Sequence, residues 1–387
     1  MNSPSVPGRC RRRTVTAGAA AAVLALLAVA SPAVASAPAP APPGVQRSLE
    51  ALVSELGVPG ALVTVREPGG RTVSGAAGVG DVATGAPVPL DGEVRAGSNT
   101  KTFVAVVVLQ LVAEGRVRLN SNIEHYLPGL VRGKGIDGRH ITVRQLLQQT
   151  SGLPNYSDYL GEDVRHFEPR ELLDLALRHP AAFRPGTSWQ YSNTNYLLAG
   201  LLVERVTGHT LAQELDTRIV QRLGLRHTYF PAPGETALRG PHPHGYYRDA
   251  GHLLDVTEFD PSWAWAAGQL VSTNADLDTF FTALLTPGRL LPAAQLAQMQ
   301  AATATADATF GPGARYGLGL VSRPLSCGGR YWGHGGSFPG YETRGGATED
   351  GRAASVAVTE QVTDSARRQH LDDLVDGALC EAAAAAR

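Results

Sequence analysis

The chain has 387 residues, is 43% apolar and carries a formal charge of −1. That length supports one large core or two medium ones. The near-neutral balance removes the electrostatic case for nucleic acid or an anionic membrane as the main partner.

The N-terminus comes first. Arg9 and the arginines at 11–13 give a positive start, residues 17–30 are apolar without a charge, and Ala33-Val34-Ala35 supplies the small residues a signal peptidase needs. The apolar stretch is shorter than the roughly 20 residues of a membrane-spanning helix. Residues 1–35 therefore read as a signal peptide cleaved after Ala35, which implies a secreted protein with no mature membrane span. Cys10 leaves with it. Cys327 and Cys380 remain, an even pair in an oxidising compartment where a disulfide persists; two separate buried thiols are the other reading. No CxxC or histidine-spaced partner is present, so no metal or other cofactor is expected.

Residues 36–44 alternate Ala and Pro and read as a polyproline-like tether outside the fold. The rest, 45–387, reads as one domain. Residues 45–56 have helical spacing and stop at Gly57; 61–66 and 71–79 read as strands joined by Glu67-Pro68-Gly69-Gly70. Residues 102–114 are apolar almost all round, which predicts a buried helix. Helical signals dominate from there to about 260, with segments at 143–149, 169–179, 195–206 and 210–223. Thr273 and Asp276 form an expected capping box for a helix to Leu285. Strands are expected at 315–321, 329–334, 341–346 and 353–359, and a last helix over 365–382. The order predicts an α+β fold: one antiparallel sheet covered by the first and last helices, with residues 103–260 as an inserted helical lobe.

Lysine occurs only at 101 and 134, although arginine is abundant. Lys101 lies three residues after Ser98, a pairing expected by chance about 0.1 times in this composition, which adds weight to an otherwise weak motif. Arginine does not lose its proton in a protein, whereas a desolvated lysine can act as a base. On a helix, the i, i+3 spacing puts both side chains on one face. Ser98 also stands where the apolar helix begins, so its N–H is a free first-turn donor for an oxyanion. A plain N-cap serine and a solvated lysine are the alternative on spacing alone. Tyr191 and Asn193 lie two apart before a helix, and an extended segment would aim them the same way. Trp332-Gly333-His334-Gly335-Gly336-Ser337 is a glycine-rich strand end that another backbone can approach closely. A capping turn and a bulged strand are the plainer readings of these two clusters.

SxxK at Ser98, YxN at Tyr191 and H-x-G at His334, in that order, resemble the serine β-lactamase/penicillin-binding protein superfamily. The chain looks most similar to class C β-lactamases and secreted D-alanyl-D-alanine carboxypeptidases, over about 48–383. The resemblance implies that Ser98 forms an acyl-enzyme, with Lys101 and Tyr191 depressing each other's proton affinity as base and then acid. Asn193 would hold the substrate amide. The N–H groups of Ser98 and Ser337 would form the oxyanion hole, and the strand His334-Gly335-Gly336-Ser337 would pair with the substrate backbone. Trp263 matches a pocket-lining aromatic, with core packing as its other reading. One departure stands out. Related carboxypeptidases carry threonine where this chain has Gly335, and a carboxylate-gripping arginine where it has Val321. Arg323, two residues on, is the expected substitute. The implied activity is a D-Ala-D-Ala carboxypeptidase acting as a monomer on peptidoglycan stem peptides and acylated by β-lactams. An esterase, a β-lactamase or a D-aminopeptidase acting on a small acyl substrate are alternatives, and a non-catalytic binder of penicillin or wall peptide is a distant one. No G-x-S-x-G elbow supports an α/β-hydrolase, and His242 and His244 sit in a Pro-rich loop with no third metal ligand suggested.

Overall fold

The computed structural model describes residues 39–161, 165–301 and 304–385, so the expected signal peptide lies outside the described residues. Among the described residues no helix is long and apolar enough to cross a membrane.

Among the described residues the main sheet has nine strands, and three short two-stranded ribbons lie outside it, two of them (Arg132–Gly133 with Ile136–Asp137, and Tyr246–Asp249 with His252–Asp255) within the expected helical lobe. In chain order the nine are β1 (Ala39–Pro40), β2 (Gly60–Arg66), β3 (Thr72–Gly78), β4 (Ala304–Thr305), β5 (Arg315–Tyr316), β6 (Val321–Pro324), β7 (Arg330–Phe338), β8 (Tyr341–Ala347) and β9 (Ala353–Val358). Across the sheet they run β1-β3-β2-β9-β8-β7-β6-β5-β4. All pairs are antiparallel except β1, which lies parallel to β3 through Ala39↔Val73 and Pro40↔Ser74. Part of the expected tether thus joins the sheet edge: an extended Ala/Pro segment already has strand-compatible dihedrals, and Ala41 N–H still reaches Ser74 O.

Helix α1 (Pro43–Leu56) opens with Pro at its first turn and closes on Gly57 in the left-handed region, φ 66°. Its buried Val45, Leu49 and Leu52 meet Leu371, Leu374, Val375 and Leu379 of α5 (Ser365–Ala385) and the strand residues Val63, Val65 and Val356. This is the expected cover of one sheet face. Helix α2 (Thr100–Ala113) is buried almost throughout and forms the centre of a second core with the lobe helices, among them α3 (Asn193–Thr207). A disulfide joins Cys327, in the β6–β7 turn, to Cys380 of α5, with Cα atoms 5.8 Å apart.

Three local expectations are corrected. Residues 315–321 are not one strand but a tight hairpin, Tyr316↔Val321. Gly319 (φ 74°) lets the turn press onto α2, where an added Cβ would lie 2.7 Å from Ala105 Cβ and 2.5 Å from the Tyr196 hydroxyl. Thr273 caps α4 (Asn274–Leu285) through Asp276 N–H. The Asp276 carboxylate does not close the box; it accepts from His227 N–H and the Thr228 hydroxyl. The glycine-rich end of β7 does not stop at His334 but continues to Phe338, with Gly333 and Gly336 lying against other backbones.

Candidate active site

Ser98 lies in a short turn, Gly97–Asn99, that leads into α2. Gly97 has φ 52°, and an added Cβ there would sit 2.8 Å from Ser337 N, so the turn abuts β7 backbone to backbone. The turn is pinned from several sides. Asn99 Nδ2 donates to Ala96 O and to Thr343 Oγ1, both at 2.8 Å, and Thr100 Oγ1 donates to Gly97 O at 2.7 Å. Rigid placement of this kind is what a nucleophile needs.

Lys101 Nζ lies 2.9 Å from Ser98 Oγ and donates to Ala267 O at 2.7 Å. The side chain is fully buried, and burial holds its amine well below the usual lysine range. A neutral amine donating to Ala267 keeps its lone pair for the Ser98 proton. The Tyr191 ring is 4.8 Å from Nζ and the Tyr196 ring 5.8 Å. The expectation of mutual depression is corrected, since burial alone lowers Lys101 and Tyr191 moves the other way. Burial, with Tyr316 adding to it, pushes the Tyr191 phenol well above its ordinary value, against the pull of a hydrogen bond with Ser98. Both shifts favour the uncharged forms: Tyr191 holds its proton, and Lys101 gives its proton up more readily than an ordinary lysine.

Asn193 begins α3. Its N–H donates to Asn155 Oδ1 at 2.9 Å and its Nδ2 to Ser157 Oγ at 3.2 Å, and its side chain is half-buried. His334 is buried, with Nδ1 2.6 Å from Gly335 O and Nε2 3.4 Å from the Tyr316 hydroxyl. Burial pushes its pKa down to about 3, so the imidazole is neutral. Gly336 faces Ala96 O, which a Cβ would approach to 1.9 Å. Ser337 Oγ accepts from Gln361 Nε2 at 3.1 Å and bonds Glu342, so its hydroxyl is occupied and its backbone remains for the cleft. Strand β6 pairs with β7 only up to Val321↔Gly333, leaving the 334–338 edge unpaired on that side. The Trp263 ring lies 5.4 Å from that of Phe338, tilted by 32°, at the end of this edge.

Arg323 does not supply the expected grip on a terminal carboxylate. It lies opposite Tyr331, is 9% exposed, and forms an ion pair with Asp372 of α5. The expectation assumed a free guanidinium, and a buried cation takes a buried partner instead. Gly335 has its own explanation: a Cβ there would meet Arg344 Nη1 at 2.7 Å and Cδ at 3.0 Å. Arg344 occupies the space where a threonine would stand.

Gln149 is a site residue that the sequence does not announce. It is fully buried, yet has φ 65°, a strained conformation for a residue with a Cβ. Its Oε1 accepts from Ser192 N–H at 3.0 Å and Asn195 Nδ2 at 2.6 Å, and its carbonyl accepts from Gln190 N–H at 3.1 Å. It thereby clamps the residues on both sides of Tyr191. Gln149→Ala is expected to lower kcat by up to about 10²-fold with little change in KM, since Tyr191 drifts out of line. Gln149→Gly removes the strain as well as the amide. A comparable kcat loss in both variants, with thermal melting as control, assigns the effect to the clamp, whereas wild-type kcat in either removes that role.

A family model for beta-lactamase matches residues 45–379. The chain belongs to the beta-lactamase family. Among solved structures it is similar to a D-stereospecific amidohydrolase from Streptomyces sp., at 38% identity and TM-score 0.77 over 86% of this chain and 97% of that one. It is also similar to the D-amino acid amidase from Ochrobactrum anthropi SV3, at 28% identity and TM-score 0.77 over 89% and 98% of the two chains. Esterase EstB from Burkholderia gladioli is 36% identical over 181 residues, 43% of this chain and 46% of that protein. The matches span a little under half the length, 46%, of the curated relatives. The chain is thus a serine hydrolase of this family, with amidase and esterase relatives.

Proposed function

We propose that the protein is an exported serine amidohydrolase that transfers a small acyl group, of the D-aminoacyl class, from an amide or ester to water through Ser98. The observation that carries this reading is electrostatic. Arg323 and Arg344, the guanidinium groups behind the third motif, are both engaged by carboxylates: Arg323 with Asp372, and Arg344 with Glu342 at 2.7 Å and Asp372 at 3.4 Å. The cavity between Phe310, Val321, Gly335 and these arginines is about 10 Å³, room for one water and too small for a carboxylate. A neutral leaving group suits such a site better than the free terminal carboxylate of a D-Ala-D-Ala peptide. The D-configuration is taken from the Streptomyces and Ochrobactrum enzymes, which match 86% and 89% of this chain over 97% and 98% of their own.

The steps follow from the geometry. Neutral Lys101 takes the Ser98 proton as Oγ attacks the carbonyl carbon. The negative charge formed on the carbonyl oxygen is met by the N–H groups of Ser98 and Ser337, where the Gly97 turn abuts β7. Tyr191, protonated at rest, gives its proton to the departing nitrogen or oxygen and regains one from the Lys101 ammonium. Water then attacks the acyl-enzyme, losing its proton to the same pair, and Ser98 leaves protonated. Asn193 and the free edge of β7 orient the acyl group.

Assay of the mature protein on D-phenylalanine amide, L-phenylalanine amide, an N-acyl-D-Ala-D-Ala peptide and a nitrophenyl ester tests this reading. The D-amide is expected to be cleaved at least about tenfold faster than the L-amide, and faster than the N-acyl peptide. Faster cleavage of the N-acyl peptide would restore the carboxypeptidase reading, and turnover of the ester alone would make the protein an esterase.

A further inference from the structure

Tyr191 is the group that protonates the leaving atom, so the leaving group must lie beside it. The wall on that side is aromatic. The Tyr191 ring is 5.8 Å from Phe310, 6.3 Å from Tyr316 and 6.3 Å from His334, and Val321 packs into the same cluster. Directly behind this wall, on the far side of Gly335, lie two arginines and two acids. Arg344 stands opposite Gly335 on β8 and reaches back over it, and its charge acts on both Tyr191 and His334. Arg323 comes from β6, Glu342 from β8 and Asp372 from α5. Asp372 is the only one of the four that contacts both arginines, through the pairs already described. Each side chain is at most 14% exposed, so the charges are screened by one another more than by solvent.

We propose that Asp372 is a specificity-determining residue: by engaging Arg323 and Arg344 together, it withholds a cation from the leaving-group side and so excludes substrates with a free terminal carboxylate. The proposal rests on the amidohydrolase reading above. Asp372 does not touch the substrate. It acts through the arginines, and only on the part of the substrate beyond the scissile bond.

The test uses two substrates that share a scissile bond and differ only in terminal charge, D-alanyl-D-alanine and D-alanyl-D-alanine amide. Wild type is expected to favour the amide. In Asp372→Asn, which keeps size and hydrogen-bonding capacity but not charge, the ratio of kcat/KM for the carboxylate over the amide should rise at least about tenfold, chiefly through KM. That gain should shrink as salt is raised, and should vanish in Asp372→Asn/Arg344→Gln. Asp372→Ser is run in parallel, because its hydroxyl still offers the arginines an acceptor if the asparagine disturbs folding. A folded variant with an unchanged ratio overturns the proposal, as does failure of both variants to fold, which would make Asp372 a scaffold residue. Failure of wild type to cleave any D-aminoacyl amide is a separate outcome and counts against the functional reading, whereas the ratio in the variants reports on Asp372 alone.

Discussion

Ser98→Ala is expected to lose hydrolysis by more than about 10⁴-fold, the scale on which loss of a nucleophile acts when the binding groups remain. The Oγ is the only part removed. The Gly97 turn, its bonds from Asn99 and Thr100, and the Ser337 amide are untouched, so substrate should still bind with near-normal affinity. Intact-mass analysis of protein quenched during ester turnover should show a single acyl adduct on the Ser98 peptide of wild type and none in the variant. A fluorescent penicillin, if it labels wild type, should label the same peptide. An adduct that persists in Ser98→Ala would place the nucleophile elsewhere.

Lys101→Arg is expected to lose about 10²–10⁴-fold in kcat, although the charge-bearing residue is nominally conserved. Arginine stays protonated even when buried, so it offers Ser98 no lone pair. The pH dependence follows in sign. Burial lowers the Lys101 pKa in the folded protein, so the active neutral form is present above that depressed value and is lost as pH falls through it. The acidic limb of kcat/KM should therefore reflect Lys101, with Tyr191 protonated throughout the working range. Linkage gives a second sign. The unfolded chain binds this proton up to the ordinary lysine value while the folded chain does not, so the contribution of Lys101 to stability rises with pH between the two. A Lys101→Met variant should lack that slope. Full activity in Lys101→Arg would mean that another group deprotonates Ser98.

The parts of the site that were legible in the sequence are those whose partners lie a few residues apart. Ser98 and Lys101 share a helical face, so spacing alone brings them to 2.9 Å. The apolar run after them announces burial, which in turn sets the lysine's protonation. The places of β7, β8 and β9 along the chain were likewise readable, because strand residues and glycine placement mark strands locally. What was missed depends on distant neighbours. Gln149 precedes Thr150-Ser151-Gly152 as an ordinary helix-end residue, and its left-handed backbone is imposed by the 190–195 segment it clamps. Arg323 looked free because its partner, Asp372, is supplied by a helix near the end of the chain. Residues 315–321 read as one strand because nothing local shows that Gly319 must press onto α2. Tyr191 departs from expectation for the same reason: proximity to a lysine suggests a lowered pKa, but burial, with Tyr316 adding to it, outweighs it.

The glycines of β7 and β8 also set where new chemistry can evolve. Added Cβ atoms would strike main chain at Gly333 (Gly345 O, 2.0 Å), at Gly336 (Ala96 O, 1.9 Å) and at Gly346 (Trp332 O, 2.4 Å), and none of these obstacles can step aside. At Gly335 the nearest obstacle is the far end of the Arg344 side chain. Of these four positions, Gly335 alone can be unlocked by changing a residue other than itself. A lineage moving between neutral and charged leaving groups would therefore find one narrow route here, a shortened side chain at 344 first and a branched residue at 335 second. The reverse order would first have to press the Arg344 side chain off its carboxylates.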